Sequence, residues 1–340
     1  MLSEDPASTS LAEATGDSRV RLSAAVLSLC VALLLLVAKL VAYRITGSTA
    51  VLSDALEAIV NVLAAAFAVG SLVFAGRPAD RNHPYGHGKI EFLSAAFEGG
   101  LIVFAAVLIL YESVQALWVG PEVRQLDRGL AIVLGAGLCN LGLGLYLVRV
   151  GMRYSSLTLV ADGEHVLSDA WTSAGIVVGL ALVRWTGWTW LDPTVAIVVA
   201  LYLLRTGLRL VRRAAAGLLD EEDSELLNTL LAILGSRIGG GVIRVHGLRA
   251  MRAGRFHHVS AHLVLPEFWS LERAHRTSEE LAAEVIRAAG IEGELSFHTD
   301  PCHRAYCEAC DLDDCPVRQA PFLGPQPLTL EEAVRPDLRV

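Results

Sequence analysis

Apolar residues along this chain fall into runs of about 20, the length a helix rising 1.5 Å per residue needs to cross a bilayer core of about 30 Å. Six runs are read, at about 20–43, 49–74, 90–118, 129–150, 156–184 and 190–211. The second and fifth are interrupted by polar residues. After Arg213 the pattern becomes that of a soluble domain. Asp223–Arg237 carries Leu226, Leu227, Leu230, Leu231 and Leu234 at helical spacing, and glycines 239–241 end it. Val242–Met251 and Phe256–Leu265 alternate as strands around a turn at Gly254, Leu271–Ala289 is an amphipathic helix, and Glu294–Thr299 is a last strand. The order α-β-β-α-β predicts a small α+β layer with its helices on one sheet face. Residues 1–19 are polar, with no early apolar stretch, and are read as a disordered tail rather than a leader. Residues 316–340 hold five prolines without a period and are read as irregular. The expected domains are therefore a tail at 1–19, a membrane all-α domain of six transmembrane helices at 20–213, an α+β domain at 214–301, and a Cys-rich segment and tail at 302–340.

Composition supports a membrane protein. The chain is 53% hydrophobic and 19% charged, against about 45–50% and 25% for soluble domains. A net charge of −8 argues against nucleic-acid binding. Arg19, Arg21, Arg77, Arg81, Lys89, Arg149, Arg153, Arg209, Arg212 and Arg213 flank one side of the spans, and Arg44, Arg124, Arg128 and Arg184 the other. That bias places both termini in the cytoplasm, and the expected location is the cell (inner) membrane.

Charged side chains inside a bilayer are costly and by default mark function. The second span contains Asp54, Glu57 and Asn61, and the fifth contains Asp162, Glu164, His165 and Asp169. Glu57 and Asn61 are four apart, as are His165 and Asp169, so each pair shares a helix face. Entering from opposite sides, Glu57 and His165 lie roughly 12 Å deep and Asn61 and Asp169 roughly 18 Å deep. Both pairs bracket the midplane, and four N/O donors at one depth can hold a metal. Asp54 and Asp162 each sit three residues before the first member of a pair, a short echo that inverted halves would explain. The bland alternative is that these side chains are hydrogen-bonding glue between helices.

These residues resemble the cation diffusion facilitator family over nearly all of 20–302. The resemblance is carried by Gly47–Ala50 with Ser53–Ala55, by the stretch Asp80-Arg-Asn-His83-Pro-Tyr-Gly-His87-Gly-Lys-Ile-Glu91, by Ala161–Asp162 with His165-xxx-Asp169, and by Leu191–Pro193. It implies a homodimer in the lipid bilayer that exchanges a divalent metal for protons, with a ferredoxin-like (metallochaperone-like) cytoplasmic domain. The implied transport ligands are Glu57, Asn61, His165 and Asp169. The first two differ from the Asp or His and the Asp that are usual in the family. A loop site is implied at Asp80, His83 and His87, and the spacing itself offers three N/O ligands in one segment. Cytoplasmic metal sites are implied at His246, His262, His275, His298 and Asp300.

From the residues themselves, His258, Ser260 and His262 share one strand face, while Val259, Ala261, Leu263 and Leu265 share the other. Cys302, Cys307, Cys310 and Cys315 offer four thiols in a reducing compartment, a possible zinc site or simply reduced thiols. Cys30 and Cys139 are read as packing residues within spans. No HExxH, nucleophile elbow or Walker loop is present, so neither an enzyme nor an ATP-driven pump is expected. The expected function is efflux of a divalent transition metal by proton antiport, with zinc first and iron, manganese, cobalt or cadmium as alternatives. A transport-deficient membrane metal sensor is the other reading, favoured by the Glu57 and Asn61 departures.

Overall fold

The structure, a computed structural model, describes residues 6–46, 49–119 and 130–335. It divides into two compact units, Met1–Leu219 and Asp220–Val340. The first unit is helical: α1 (Pro6–Thr46), α2 (Thr49–Ala75), α3 (Ile90–Val119), α4 (Leu130–Arg153), α5 (Leu157–Thr186) and α6 (Leu191–Leu218). Each holds 18 to 29 residues long and apolar enough to cross a membrane. Helices suit that solvent because they satisfy their own backbone groups, and Leu34, Leu63 and Phe104 stand exposed on the outer surface, where lipid would cover them. Residues 6–19 correct the reading of a disordered tail. They continue α1 as helix, since Leu11, Ala12, Glu13 and Ala14 are strong helix formers whatever their polarity.

Helix pairs α3–α6, α4–α5 and α1–α2 make the main contacts of the bundle. Small residues set how closely they approach. A Cβ at Gly163 would lie 2.7 Å from Val148 Cγ2 and 2.8 Å from the Val148 nitrogen, and one at Gly207 would lie 2.9 Å from the Gly99 oxygen. Backbones meeting this closely fix the rotation of α5 against α4 and of α6 against α3. At the start of α5, buried Glu91 takes the Arg21 guanidinium on one carboxylate oxygen. The Ser156 hydroxyl donates to its other oxygen at 2.7 Å, and Ser156 is also the N-cap of α5. This buried pair ties α1, α3 and α5 at one level, a use in register rather than in net stability. Arg21 is therefore an interior residue and not only a flanking charge. Cys30 and Cys139 are exposed rather than packed inside.

The second unit contains α7 (Ser224–Gly235), β1 (Arg244–Ala253), β2 (Phe256–Leu265), α8 (Leu271–Ala289), β3 (Glu292–Pro301) and a short α9 (Leu330–Val334). The sheet order is β1-β2-β3, with β1 and β2 antiparallel and β2 and β3 parallel. Val259, Ala261, Leu263 and Leu265 of β2 are buried with Leu227, Leu230 and Leu234 of α7 and Leu281 and Val285 of α8. The period-two face meets the helices as expected, leaving the histidine face open. The unit begins at Asp220 rather than 214 because α6 runs on to Leu218.

The C-terminal tail corrects the irregular reading. Ala333 of α9 is fully buried, and Leu328, Leu330 and Val334 pack on the same core. Buried Arg244 grips this segment, donating through Nε and Nη2 to the two Glu332 oxygens at 2.6 Å each and through Nη1 to the Gln326 carbonyl at 2.8 Å. An apolar patch this short gives no periodicity to read among prolines.

Candidate metal centres

In the first unit, α2 and α5 bring three of the expected ligands together. The Asn61 amide donates to Asp169 Oδ2 at 2.6 Å, and His165 Nε2 lies 3.2 Å from Asn61 Oδ1. His165 is buried and Asn61 and Asp169 are half-buried. The i,i+4 spacing on α5 works as the helix period requires. Local bonds hold that helix turn: Ser168 Oγ donates to the His165 carbonyl at 2.6 Å, and Thr172 Oγ1 and Ser173 Oγ donate to the Asp169 carbonyl at 2.9 and 2.8 Å. Asp162 is buried one turn before His165. Asp54 and Glu57 lie on α2, but their side chains are outside the described residues. A small internal cavity runs beside this cluster, and Ser28 and Lys39 of α1 and Asn140 of α4 also line it. Sequence reasoning missed these because single polar residues on separate spans carry no spacing signal.

The α2–α3 loop forms a second group. Asp80, His83 and His87 present ligand atoms all within 4.8 Å of one another. Asp80 Oδ1 accepts the backbone N–H groups of Asn82 at 2.8 Å and His83 at 2.7 Å. The His83 N–H bond, foremost, holds the Asp80 carboxyl below its ordinary value. His83 Nδ1 lies 3.2 Å from Asp80 Oδ1, and His87 Nε2 lies 3.3 Å from Asp80 Oδ2. Buried His87 turns its other nitrogen to the Arg77 carbonyl at 3.4 Å, a second contact that orients the ring. Gly86, at φ 80°, makes the reversal that returns His87 toward Asp80.

In the second unit, strand register builds a row. His246 pairs with His262 across β1 and β2, and His262 with His298 across β2 and β3. Neighbouring rings stand 4.9 Å apart at their centroids. Asp300 Oδ2 lies 3.1 Å from His246 Nε2 and 2.9 Å from His262 Nδ1, and Asp300 Oδ1 lies 3.5 Å from His298 Nε2. His246, His262 and Asp300 form the tight group. His275 is apart from it, exposed on α8 and facing Glu279 at 4.0 Å.

Cys307 and Cys310 are buried, and Cys302 and Cys315 half-buried. Burial pushes the Cys302 thiol up. Arg318 shapes the loop around them, donating to the carbonyls of Cys307 at 3.0 Å, Cys310 at 2.9 Å and Leu312 at 2.6 Å. Among the described residues, the groups of three or more ligand atoms mutually within 4.8 Å are those at Asp80 and at Asp300, and the thiols are not gathered in that way.

The family model for the cation efflux transmembrane domain matches residues 25–219, and the model for the cation efflux protein cytoplasmic domain matches residues 223–302. An uncharacterized transporter of Synechocystis sp. is 38% identical over 280 residues, covering 82% of this chain and 89% of that protein. The cation-efflux pump FieF of Shewanella oneidensis is 29% identical over 81% of this chain and 92% of its own length. That of Citrobacter koseri is 28% identical over 82% and 92%.

Proposed function

The chain belongs to the cation diffusion facilitator family of cation efflux transporters, and from that premise we propose that it exports a divalent transition metal from the cytoplasm in exchange for protons. Zinc is the first candidate cargo, with manganese, iron(II), cobalt and cadmium behind it. The observation that carries this reading is the Asn61–His165–Asp169 cluster, in which α2 and α5 meet through ligand-type side chains inside an apolar bundle. Imidazole suits zinc and its late-row neighbours, while carboxylate and carbonyl oxygens suit harder cations. Imidazole and carboxylate bind either a proton or a metal, so a change in pH across the membrane moves the metal off. Glu57 is assigned as the fourth ligand.

We assign Asp80, His83 and His87 as a loop metal site and His246, His262, His298 and Asp300 as a cytoplasmic one. In both, a carboxylate sits among imidazoles, and both are ligand types that zinc takes. The protein works as a homodimer with both termini cytoplasmic in the cell membrane, the matched cytoplasmic domain supplying the joint. His275 reaches a metal only from another protomer or by movement of α8.

Flux of zinc, manganese, iron(II) and cobalt into proteoliposomes, with and without an imposed pH gradient, tests the proposal. Gradient-dependent uptake with zinc fastest supports it. Metal binding without flux of any of the four cations supports a sensor instead.

A further inference from the structure

Among the described residues, the interior of the first unit holds an acidic group outside the metal cluster that no hydrogen bond engages. Glu98, on α3, has no exposed surface. Neither of its carboxylate oxygens has a hydrogen-bond partner. Glu91, Ser94 and Glu98 lie at i, i+3 and i+7, on one face of α3. Glu91 is engaged by Arg21 and Ser156. Ser94, fully buried one turn before Glu98, also leaves its hydroxyl without a partner. Across from them on α5, Asp162 is buried with Oδ2 unbonded. A line of orphaned polar atoms thus runs along α3 beside the helix that carries His165 and Asp169.

The surroundings narrow what Glu98 can do. Among the described residues, the acidic groups acting on it electrostatically are Asp162 and Asp169 of α5. α6 crosses α3 at Gly99 and Gly207, and its charged residues there, Arg205 and Arg209, are exposed. α2, the third helix packed on α3, carries no titratable side chain from Ala58 to Ala75. Among the described residues, no hydrogen-bond donor or cation reaches Glu98. An ionised carboxylate so placed costs several kcal/mol even after relaxation, and a buried group in that position neutralises itself. A purely structural carboxyl would engage some of its hydrogen-bonding capacity, and this one engages none. Meanwhile Asn61 fills a ligand position with a side chain that cannot carry a proton.

We propose that Glu98 carries a proton exchanged during transport, held on its carboxyl while the α2–α5 site lacks metal and released when the cation binds beside it. The step is –COOH to –COO⁻ plus H⁺. The proton passes to water, and the positive charge of the cation balances the new carboxylate. This supplies from α3 the titratable group that Asn61 does not offer on α2. The inference rests on the proton-exchange reading above.

The test is proton release on zinc binding by the full-length protein in detergent, read with a pH indicator dye and by calorimetry in two buffers of different ionisation enthalpy. Wild type releases protons as zinc binds. Glu98→Gln, and Glu98→Met as a second non-titratable replacement of similar volume, release about one fewer per protomer when all sites fill, and the pH dependence of Kd at the α2–α5 site becomes shallower by about tenfold per pH unit. Glu98→Asp restores most of the release. Equal release by wild type and the non-titratable variants overturns the role of Glu98 while leaving proton exchange standing. No release from wild type instead contradicts proton exchange itself.

Discussion

The Asn61 amide donates to Asp169 Oδ2 across 2.6 Å, and so joins α2 to α5 within the proposed transport site. The bond neutralises part of the charge of Asp169 without adding charge of its own. It also places a carbonyl oxygen against His165 Nε2, so a cation entering here must displace the carboxamide or share its oxygen.

Asn61→Asp follows directly. Two carboxylates this close share a proton when no metal is present, and both become ligands when one binds. The variant is expected to bind zinc about tenfold more tightly or better at pH 7.5, and to release it more slowly. Calorimetry and zinc efflux from preloaded vesicles measure the two effects. Weaker binding would show that Asn61 only braces the helices.

The cytoplasmic row gives a second expectation. Asp300 lies within 3.5 Å of three imidazoles, so Asp300→Asn should cost about 10-fold to 100-fold in affinity for metal at this site. His275→Ala, on an exposed position of α8, should cost less than threefold. Zinc titration of the full-length protein with the loop site removed by His83→Ala makes the comparison. A larger loss from His275→Ala would place that residue in the site.

For the loop site the pH sign is fixed by which group stays charged. Asp80 is held below its ordinary value, so its contribution is present above the unfolded value near 3.9 and is lost only as pH falls through the lower folded value. Metal binds ligands that have shed their protons, so falling pH should loosen zinc at the loop. Bound zinc should leave while Asp80, held low, remains ionised. Equilibrium dialysis of Asp300→Asn protein against pH reads it, and a site that empties only below pH 4 would contradict the assignment.

Arg244 offers a stability test. Its guanidinium is buried against Glu332 and the Gln326 carbonyl. Glu332→Ala leaves that charge without its carboxylate, at about 3–5 kcal/mol, and frees α9 from β1. The melting temperature of the second unit should fall by several degrees. An unchanged melting curve would mean that α9 contributes nothing to the fold.

Much of this architecture was legible in the sequence because hydrophobic run length and period report directly on solvent. α2, α5 and β2 lie almost where their patterns put them, and His165 and Asp169 share a face by helix geometry alone. Strand order and register were not legible, so the alignment of His246, His262 and His298 in one row, and the separation of His275 from it, came only with the sheet. Glu98 was visible as a charge within an apolar run, yet it has no partner at i+4 and so escaped a search built on pairs. Arg21 reads as a flanking charge until Glu91, 70 positions away, is seen to meet it. The docking of α9 depends on Arg244, which nothing in a proline-rich tail announces.

The central claim is that metal and protons exchange at the α2–α5 cluster, and zinc uptake into acid-loaded proteoliposomes tests it most directly. Wild type should take up zinc while the gradient stands and slow sharply when an ionophore collapses it, and Asp169→Asn should lose more than about 90% of the rate, as removal of a charged ligand requires. Uptake that ignores the gradient, or an Asp169→Asn rate equal to wild type, would contradict the account.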